Sequence, residues 1–144
     1  MNTKKIDFNL EIENGYPPIS VERLNARECG SGEYEILNSP FFVKELAYGD
    51  LVTAAPTAEG RLVFVSCSKA SSFKALSVII LDDEMDRTLM DNFRGHDCVI
   101  EYGEFGTFRM VAVAIPESAD YESNRKILDA HESAGKISYA ELVA

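Results

Sequence analysis

The sequence predicts an α+β protein with a β-rich first half and a mixed second half, and three observations lead to this fold class. Short apolar segments separated by glycine and proline turns fill residues 1–72. After residue 73, strand-like apolar runs alternate with stripes at helical spacing. We expect neither a membrane span nor a signal peptide, because no run of about 20 apolar residues and no apolar leader occurs.

Five short strands are predicted in the first half, linked by turns into a small curled sheet or partial barrel. The first alternates strictly between apolar and polar side chains, which is typical of a strand with one buried and one wet face. Asn14-Gly15 then predicts a turn. In the second strand the apolar phase shifts between Val21 and Leu24, which indicates a bulge or a bend. The strands are expected at residues 6–12, 19–27, 34–37, from 51 onward and at 61–67.

The second half predicts the order strand, helix, strand, strand, helix, strand. The continuous apolar run at 76–81 is typical of a central strand covered on both faces. Asp82 or Asp83 can cap the first helix, Gly95 can end it, and Asp120 can cap the second helix. The remaining strands are expected at 98–102, 108–115 and 137–143, with a break at 103–106, and the helices at 83–94 and 120–134, the first with an inner stripe of Met85, Leu89 and Phe93.

This βαββαβ order is that of a ferredoxin-like unit, in which two helices cover one face of a four-stranded antiparallel sheet. We therefore expect a β-rich lobe at residues 1–72 and a ferredoxin-like lobe at 73–144. The serine-containing segment around Lys69-Ala70 is too short to let the lobes move independently. The lobes should pack together as one globular unit.

Charge is the one extreme property of the chain. The net charge is −10, and residues 73–144 alone hold 7 basic and 14 acidic side chains. Such a surface repels phosphate backbones and anionic membranes and attracts basic partners. We therefore expect a basic protein partner and no direct nucleic-acid or membrane ligand. The simpler interpretation of the acidity is solubility.

The densest group of carboxylates begins at the predicted first helix. Magnesium can use several such oxygens, but carboxylates in a first helical turn are favoured by the helix dipole by about 0.3–1 kcal/mol each. Capping and solvation are therefore favoured over metal binding, and no cofactor, metal site or catalytic residue is predicted. The functional interpretation is a partner-binding patch made of Asp82, Asp83, Glu84, Asp86, Asp91, Asp97, Glu101 and Glu104.

The three cysteines, Cys29, Cys67 and Cys98, are odd in number and widely spaced. They suggest neither a zinc site nor a disulfide framework, and reduced thiols in the cytoplasm are expected instead. A pair of His96 and Cys98 as base and thiol is a weaker alternative to a surface histidine and a core cysteine.

Several turn and aromatic motifs resemble those of a bacterial family of small acidic proteins classed as a domain of unknown function. They are Tyr16-Pro17-Pro18, Val21-Glu22-Arg23-Leu24, Asn38-Ser39-Pro40-Phe41-Phe42 and Ala47-Tyr48-Gly49-Asp50-Leu51-Val52. The resemblance spans nearly the whole chain and implies no active-site residue.

By type, the chain is also similar to immunity proteins of interbacterial toxin systems, which are small, acidic and cytoplasmic and lack catalytic motifs. That similarity implies an acidic face that docks on the basic active-site cleft of a toxin nuclease, with charge complementarity speeding capture. We therefore expect a non-enzymatic immunity protein that neutralises a cognate toxin. The alternative is a small-ligand-binding regulatory domain with a ferredoxin-like fold, and an enzyme is a third possibility.

Overall fold

The computed structural model describes residues 3–30, 32–93 and 97–144, and within them the chain forms nine strands and two helices. The α+β class is confirmed. Neither helix is long and apolar enough to cross a membrane. The elements are β1 (Thr3–Asn9), β2 (Val21–Glu28), β3 (Glu33–Ile36), β4 (Leu51–Pro56), β5 (Leu62–Lys69), β6 (Lys74–Ile80), α1 (Met85–Phe93), β7 (Val99–Phe105), β8 (Phe108–Ile115), α2 (Tyr121–Ser133) and β9 (Ile137–Val143).

The first five strands curl into a closed barrel in sequence order. Neighbouring strands are antiparallel, and β1 closes the barrel by pairing in parallel with β5. This barrel confirms the predicted curled sheet. The sheet closes around the apolar side chains, which alternate along each strand and turn inward. The barrel core contains Ile6, Phe8, Leu24, Ala26, Tyr34, Ile36, Leu46 and Val52.

The prediction of a bulge in the second strand is wrong, because β2 pairs with β1 in one continuous register. The apolar phase changes for a different reason: Glu22 occupies an inward position and is 4% exposed. The polar face expected on β1 is also partly covered. Asp7 is buried, because the cross-strand neighbour Arg23 donates from Nε to its Oδ1 at 2.6 Å.

The last four strands form a second sheet in the order β7-β8-β6-β9, and every neighbouring pair is antiparallel. One face of this sheet packs against both helices. The apolar side chains in this layer are Leu76, Val78, Ile80, Met85, Leu89, Phe93, Val111, Val113, Ile115, Leu128 and Ile137. The central strands are thus buried on both faces, as the apolar run in β6 predicts.

The opposite face of the second sheet turns towards the barrel. Ala75 of β6 packs there with Ala47, which belongs to the long connection between β3 and β4. The backbone N–H of Glu45 donates to the carbonyl of Leu142 at 3.0 Å. The β3–β4 connection therefore joins the two lobes.

The predicted cap of the second helix is confirmed, because Asp120 accepts the backbone N–H of Ser123 at 3.1 Å at the start of α2. The first helix begins at Met85, two residues after the predicted start at 83, and Asp82 Oδ1 accepts the backbone N–H of Glu84 at 3.0 Å in the turn before it. The expected end of α1 at Gly95 lies outside the described residues.

The break predicted after Tyr102 is wrong, because β7 continues to Phe105 with Gly103 paired to Met110. The turn comes later, at Gly106 (φ 63°). Gly103 is required for another reason. A Cβ there would lie 2.9 Å from Cζ of Phe41 and 2.8 Å from Cε2 of Phe105, so glycine permits a close approach of the barrel lobe.

Candidate functional site

Two regions of the second sheet carry candidate functional side chains, one on each face of β7. The first, which we call the acidic surface, consists of Asp83, Asp86, Tyr102, Glu104 and Arg109. The Arg109 guanidinium donates to Asp83 Oδ1 at 2.6 Å and to Asp86 Oδ1 at 2.5 Å. The start of α1 is thereby tied to β8.

An exposed aromatic ring continues the acidic surface onto the edge strand β7. Nε of Arg109 donates to the Tyr102 hydroxyl at 3.1 Å, and this hydroxyl donates to Glu104 Oε1 at 3.1 Å. Tyr102 is 49% exposed. The hydrogen bonds from Arg109 to Tyr102 and Asp86 raise the pKa of the guanidinium. One permanent cation therefore offsets part of the charge of three carboxylates.

The structure brings together three of the eight residues of the predicted patch, namely Asp83, Asp86 and Glu104. Asp82 precedes Asp83 in the chain, and its side chain accepts the backbone N–H of Glu84 in the turn before α1. Glu84, Asp91 and Asp97 are exposed acids for which the structure gives no contact with these three. Glu101 points to the opposite face of β7, because side chains alternate along a strand.

Glu101 belongs instead to the second region, which lies between the two lobes. Its Oε1 accepts Nδ2 of Asn38 at 2.9 Å, and its Oε2 accepts the backbone N–H of Ser39. The Ser39 hydroxyl also donates to the carbonyl of Val99 at 3.2 Å. The start of the β3–β4 connection is therefore held against β7 by hydrogen bonds.

A second carboxylate binds the same connection from the barrel side. Glu22 accepts the backbone N–H of Phe41 at 2.7 Å, of Phe42 at 3.1 Å and of Val43 at 3.0 Å. Three donors that no strand satisfies thus end on one buried side chain. Glu22 and Glu101 together position residues 38–43, which we call the 38–43 loop.

Both carboxylates lie in surroundings that disfavour their charge. Burial raises the pKa of Glu22, its three N–H bonds oppose the shift, and the charge of Glu101 adds to it. Burial likewise raises the pKa of Glu101, against the bonds from Ser39 and Asn38. Within the part of the chain that the structure describes, neither carboxylate forms an ion pair with a lysine or arginine.

These carboxylates and two aromatic rings line a cleft of about 270 Å³, which we call the inter-lobe cleft. The rings are Phe41 of the 38–43 loop and Phe105 of β7, whose centroids lie 5.0 Å apart at an interplanar angle of 65°. Phe42 packs behind them, with its ring centroid 5.0 Å from that of Phe105. The cleft is thus a polar and aromatic junction between the barrel and the second sheet.

Sequence reasoning missed Glu22 and placed Glu101 on the wrong face of the molecule. For Glu22 a signal was present, because the apolar alternation of β2 is kept only if position 22 counts as an inward residue. For Glu101 the signal was the alternation of side chains between the two faces of β7, which places Glu101 and Glu104 on opposite faces. The prediction grouped the two residues because the whole region is acidic.

Cys29 and Cys67 are exposed and Cys98 is half-buried. Burial, with a smaller effect of the Asp97 charge, raises the pKa of Cys98 to about 11. His96 lies outside the described residues, so the pairing of His96 with Cys98 stays a hypothesis.

We expect Cys98 to react more slowly with iodoacetamide at neutral pH than Cys29, because with a pKa near 11 only ~1 in 10⁴ of its thiols is ionised. Its labelling rate should rise steadily as the pH approaches that pKa. Mass spectrometry of labelled peptides measures this order.

Serine replacement of Cys29 should change stability by less than about 0.5 kcal/mol. A loss of function in any folded serine variant would instead indicate an enzyme or a redox sensor.

The fold therefore defines the chain as a strand-rich α+β protein, in which a closed barrel is joined to a four-stranded sheet. The chain belongs to the family described as domain of unknown function DUF4265, which it matches over residues 22–139. The expected membership of an uncharacterised family is confirmed. No curated protein sequence matches the chain.

A solved structure similar to this chain is described as a novel crystal structure of a hypothetical protein from Neisseria gonorrhoeae. The match covers 99% of this chain and 96% of that chain, with a TM-score of 0.82 and 22% sequence identity. At this identity the likeness shows a shared fold.

Proposed function

We propose that this protein is a non-enzymatic protein-binding protein whose acidic surface recognises a basic protein. The observation that carries the proposal is Tyr102, a half-exposed ring whose hydroxyl is hydrogen-bonded to Glu104 and Arg109. Arg109 in turn donates to Asp83 and Asp86. Tyrosine and arginine are the residue types most enriched among side chains that dominate binding energy at protein interfaces.

The charge of the chain supports a basic partner. A net charge of −10 favours the approach of positively charged proteins, and Glu84, Asp91 and Asp97 are exposed acids that contribute to it. Complementary charge chiefly raises the association rate, and salt screens it. Arg109 restrains Asp83 and Asp86, and the Tyr102 hydroxyl restrains Glu104, so less side-chain entropy is lost when a partner binds.

The specific role that we propose is that of an immunity protein acting in the cytoplasm. Its acidic surface would occupy the basic cleft of a toxin nuclease and so exclude the phosphate backbone of the nucleic acid. The acidity and small size of the chain and the resemblance in type to such proteins support this role. The likeness to a hypothetical protein adds the fold alone.

We also propose that the second lobe is ferredoxin-like. The strand order β7-β8-β6-β9, the antiparallel neighbours and the two helices in one layer support this assignment. In such a unit β7 lies at one edge of the sheet, where Tyr102 and Glu104 are accessible to a partner.

The test compares two variants in pull-downs from lysate of the source organism. The first, Tyr102→Ala with Glu104→Gln, alters the acidic surface and leaves Arg109 paired with both aspartates. The control, Glu11→Gln with Glu13→Gln, removes more negative charge from exposed positions of the barrel lobe. The captured proteins are identified by mass spectrometry, and association and dissociation rates are measured at low and moderate salt.

We expect a basic protein to be captured by the wild type and by the control, whose affinity should stay within about twofold. The Tyr102/Glu104 variant should bind about tenfold or more weakly, because truncated anchor residues cost about 2 kcal/mol or more. Recovery of no basic partner, or equal affinity of the two variants, would contradict the proposal.

A second candidate is a small-ligand-binding regulatory domain. The inter-lobe cleft favours it, because a concave site lined by aromatic rings and a few converging polar groups is typical of ligand pockets.

A further inference from the structure

We propose that the inter-lobe cleft binds a small organic cation through an alkylammonium group, with Glu22 and Glu101 as the anionic partners and the rings of Phe41 and Phe105 as walls. The inference rests on the second candidate function and names its ligand class. It does not depend on the acidic surface, which lies on the opposite face of β7.

The first argument is uncompensated charge. Buried ionised groups in proteins are paired with an opposite charge or bind a metal. Glu22 is 4% exposed and Glu101 is half-buried, yet among the described residues neither forms an ion pair. Arg23 also lines the cleft, but its Nε lies 2.6 Å from Asp7 Oδ1 and so serves another carboxylate. The cleft therefore offers two carboxylates that no cation of the described residues pairs with and that a bound cation would pair with.

The second argument is the number of unused acceptors. A carboxylate offers about four lone-pair positions. Glu22 accepts three hydrogen bonds and Glu101 accepts two, all from N–H groups of the 38–43 loop. About three acceptor positions remain, and an ammonium group has three donors and no acceptor. A hydroxyl can donate to only one of these positions, and an anion without a donor to none.

The third argument is the shape and lining of the cleft. Aromatic rings attract cations through their negative faces, and Phe41 and Phe105 supply two such rings. The volume of about 270 Å³ lies just below the range of drug-sized pockets, about 300–1,000 Å³. A single alkylammonium chain fits this space better than a nucleotide. A metal ion is a poorer match, because no group of three or more potential ligating side chains occurs within the described residues.

The ligand probes are cadaverine as a free diamine, Nα-acetyl-lysine methylamide as a protein lysine side chain, and pentanediol as an uncharged analogue. Each is titrated by calorimetry at neutral pH and low salt into the wild type, Glu101→Gln and Glu104→Gln. The last variant is a matched control, since it removes the same charge from the same strand on the opposite face.

We expect saturable one-site binding of at least one of the two cations and none of pentanediol. Glu101→Gln should weaken cation binding by about tenfold or more, because a charge-assisted hydrogen bond is lost, whereas Glu104→Gln should change it by less than about twofold. Tighter binding of cadaverine would indicate a free diamine as the source, and tighter binding of the lysine derivative a protein side chain.

Absence of saturable cation binding, or equal affinity in Glu101→Gln and the wild type, would overturn the inference. Binding of pentanediol without cadaverine would overturn the cation assignment and leave the small-ligand candidate standing. If Glu101→Gln does not fold, NMR of the wild type decides. Saturating shifts at the Asn38 side-chain amide and the Gly103 amide support the inference, and shifts confined to Tyr102 and Glu104 overturn it.

Discussion

Replacing Glu22 with alanine should lower the free energy of unfolding by about 3–5 kcal/mol. The change leaves the backbone N–H groups of Phe41, Phe42 and Val43 without their acceptor, and an unsatisfied buried donor costs about 1–3 kcal/mol. The loss is less than the sum of three full penalties because water can reach part of the 38–43 loop. Since domains of this size are stable by about 5–15 kcal/mol, urea denaturation should show a strongly reduced midpoint.

Glu11→Ala is the control, because Glu11 is exposed and its removal should change stability by less than about 0.5 kcal/mol. The loss of stability in Glu22→Gln should lie between those of Glu22→Ala and Glu11→Ala. The amide keeps one acceptor oxygen but turns its NH₂ towards a backbone donor. A loss below about 1 kcal/mol in Glu22→Ala would show that the carboxylate does not hold the loop.

The same variant should also change the pH dependence of stability. Because burial raises the pKa of Glu22 in the folded state, this side chain holds more of its proton in the folded than in the unfolded state above the ordinary glutamate pKa of about 4.3. This group therefore makes the free energy of unfolding fall as the pH rises from that value through the raised pKa. The fall should be shallower in Glu22→Ala, as measured by denaturation across this window.

Replacing Gly103 with valine should lower the free energy of unfolding by about 1–3 kcal/mol, because overpacking forces side chains and backbone to shift. The new Cβ would lie within 2.9 Å of the rings of Phe41 and Phe105. These rings pack on each other and on Phe42, so they cannot both move aside without opening the contact between the lobes. Urea denaturation measures the loss, and the Asn38 side-chain amide signal in NMR reports the displaced loop.

Glu104→Val places the same side chain one residue further along β7, at an exposed position, and should change stability by less than about 0.5 kcal/mol. Equal stability of the two valine variants would show that glycine at position 103 is not needed for the close approach of the loop.

Most elements of the second half follow from local pattern. The bounds of β8 and β9 agree with the prediction, and the cap Asp120 lies at the predicted start of the second helix. These elements are predictable because their apolar spacing and capping residues are contained in short segments. The continuous register of β2 was not predictable from its sequence. A buried glutamate shifts the apolar alternation of a strand in the same way as a bulge does.

The candidate site depends on contacts that no short segment contains. Glu22 and Glu101 are 79 positions apart in the sequence, and the 38–43 loop joins them through backbone donors. A glutamate that accepts such donors looks like any other glutamate in the sequence. The donors that bind Glu101 come from the other lobe, and those that bind Glu22 lie 19–21 positions further along its own lobe.

The sequence by itself determined the acidity of the protein, the fold class and the position of most strands and helices, because these follow from composition and periodicity. Only the tertiary structure decided what each carboxylate does. Glu101 and Glu104 lie on the same strand, yet one faces the inter-lobe cleft and the other the acidic surface. The difference arises because the packing of the barrel on the second sheet covers one face of β7 and leaves the other accessible.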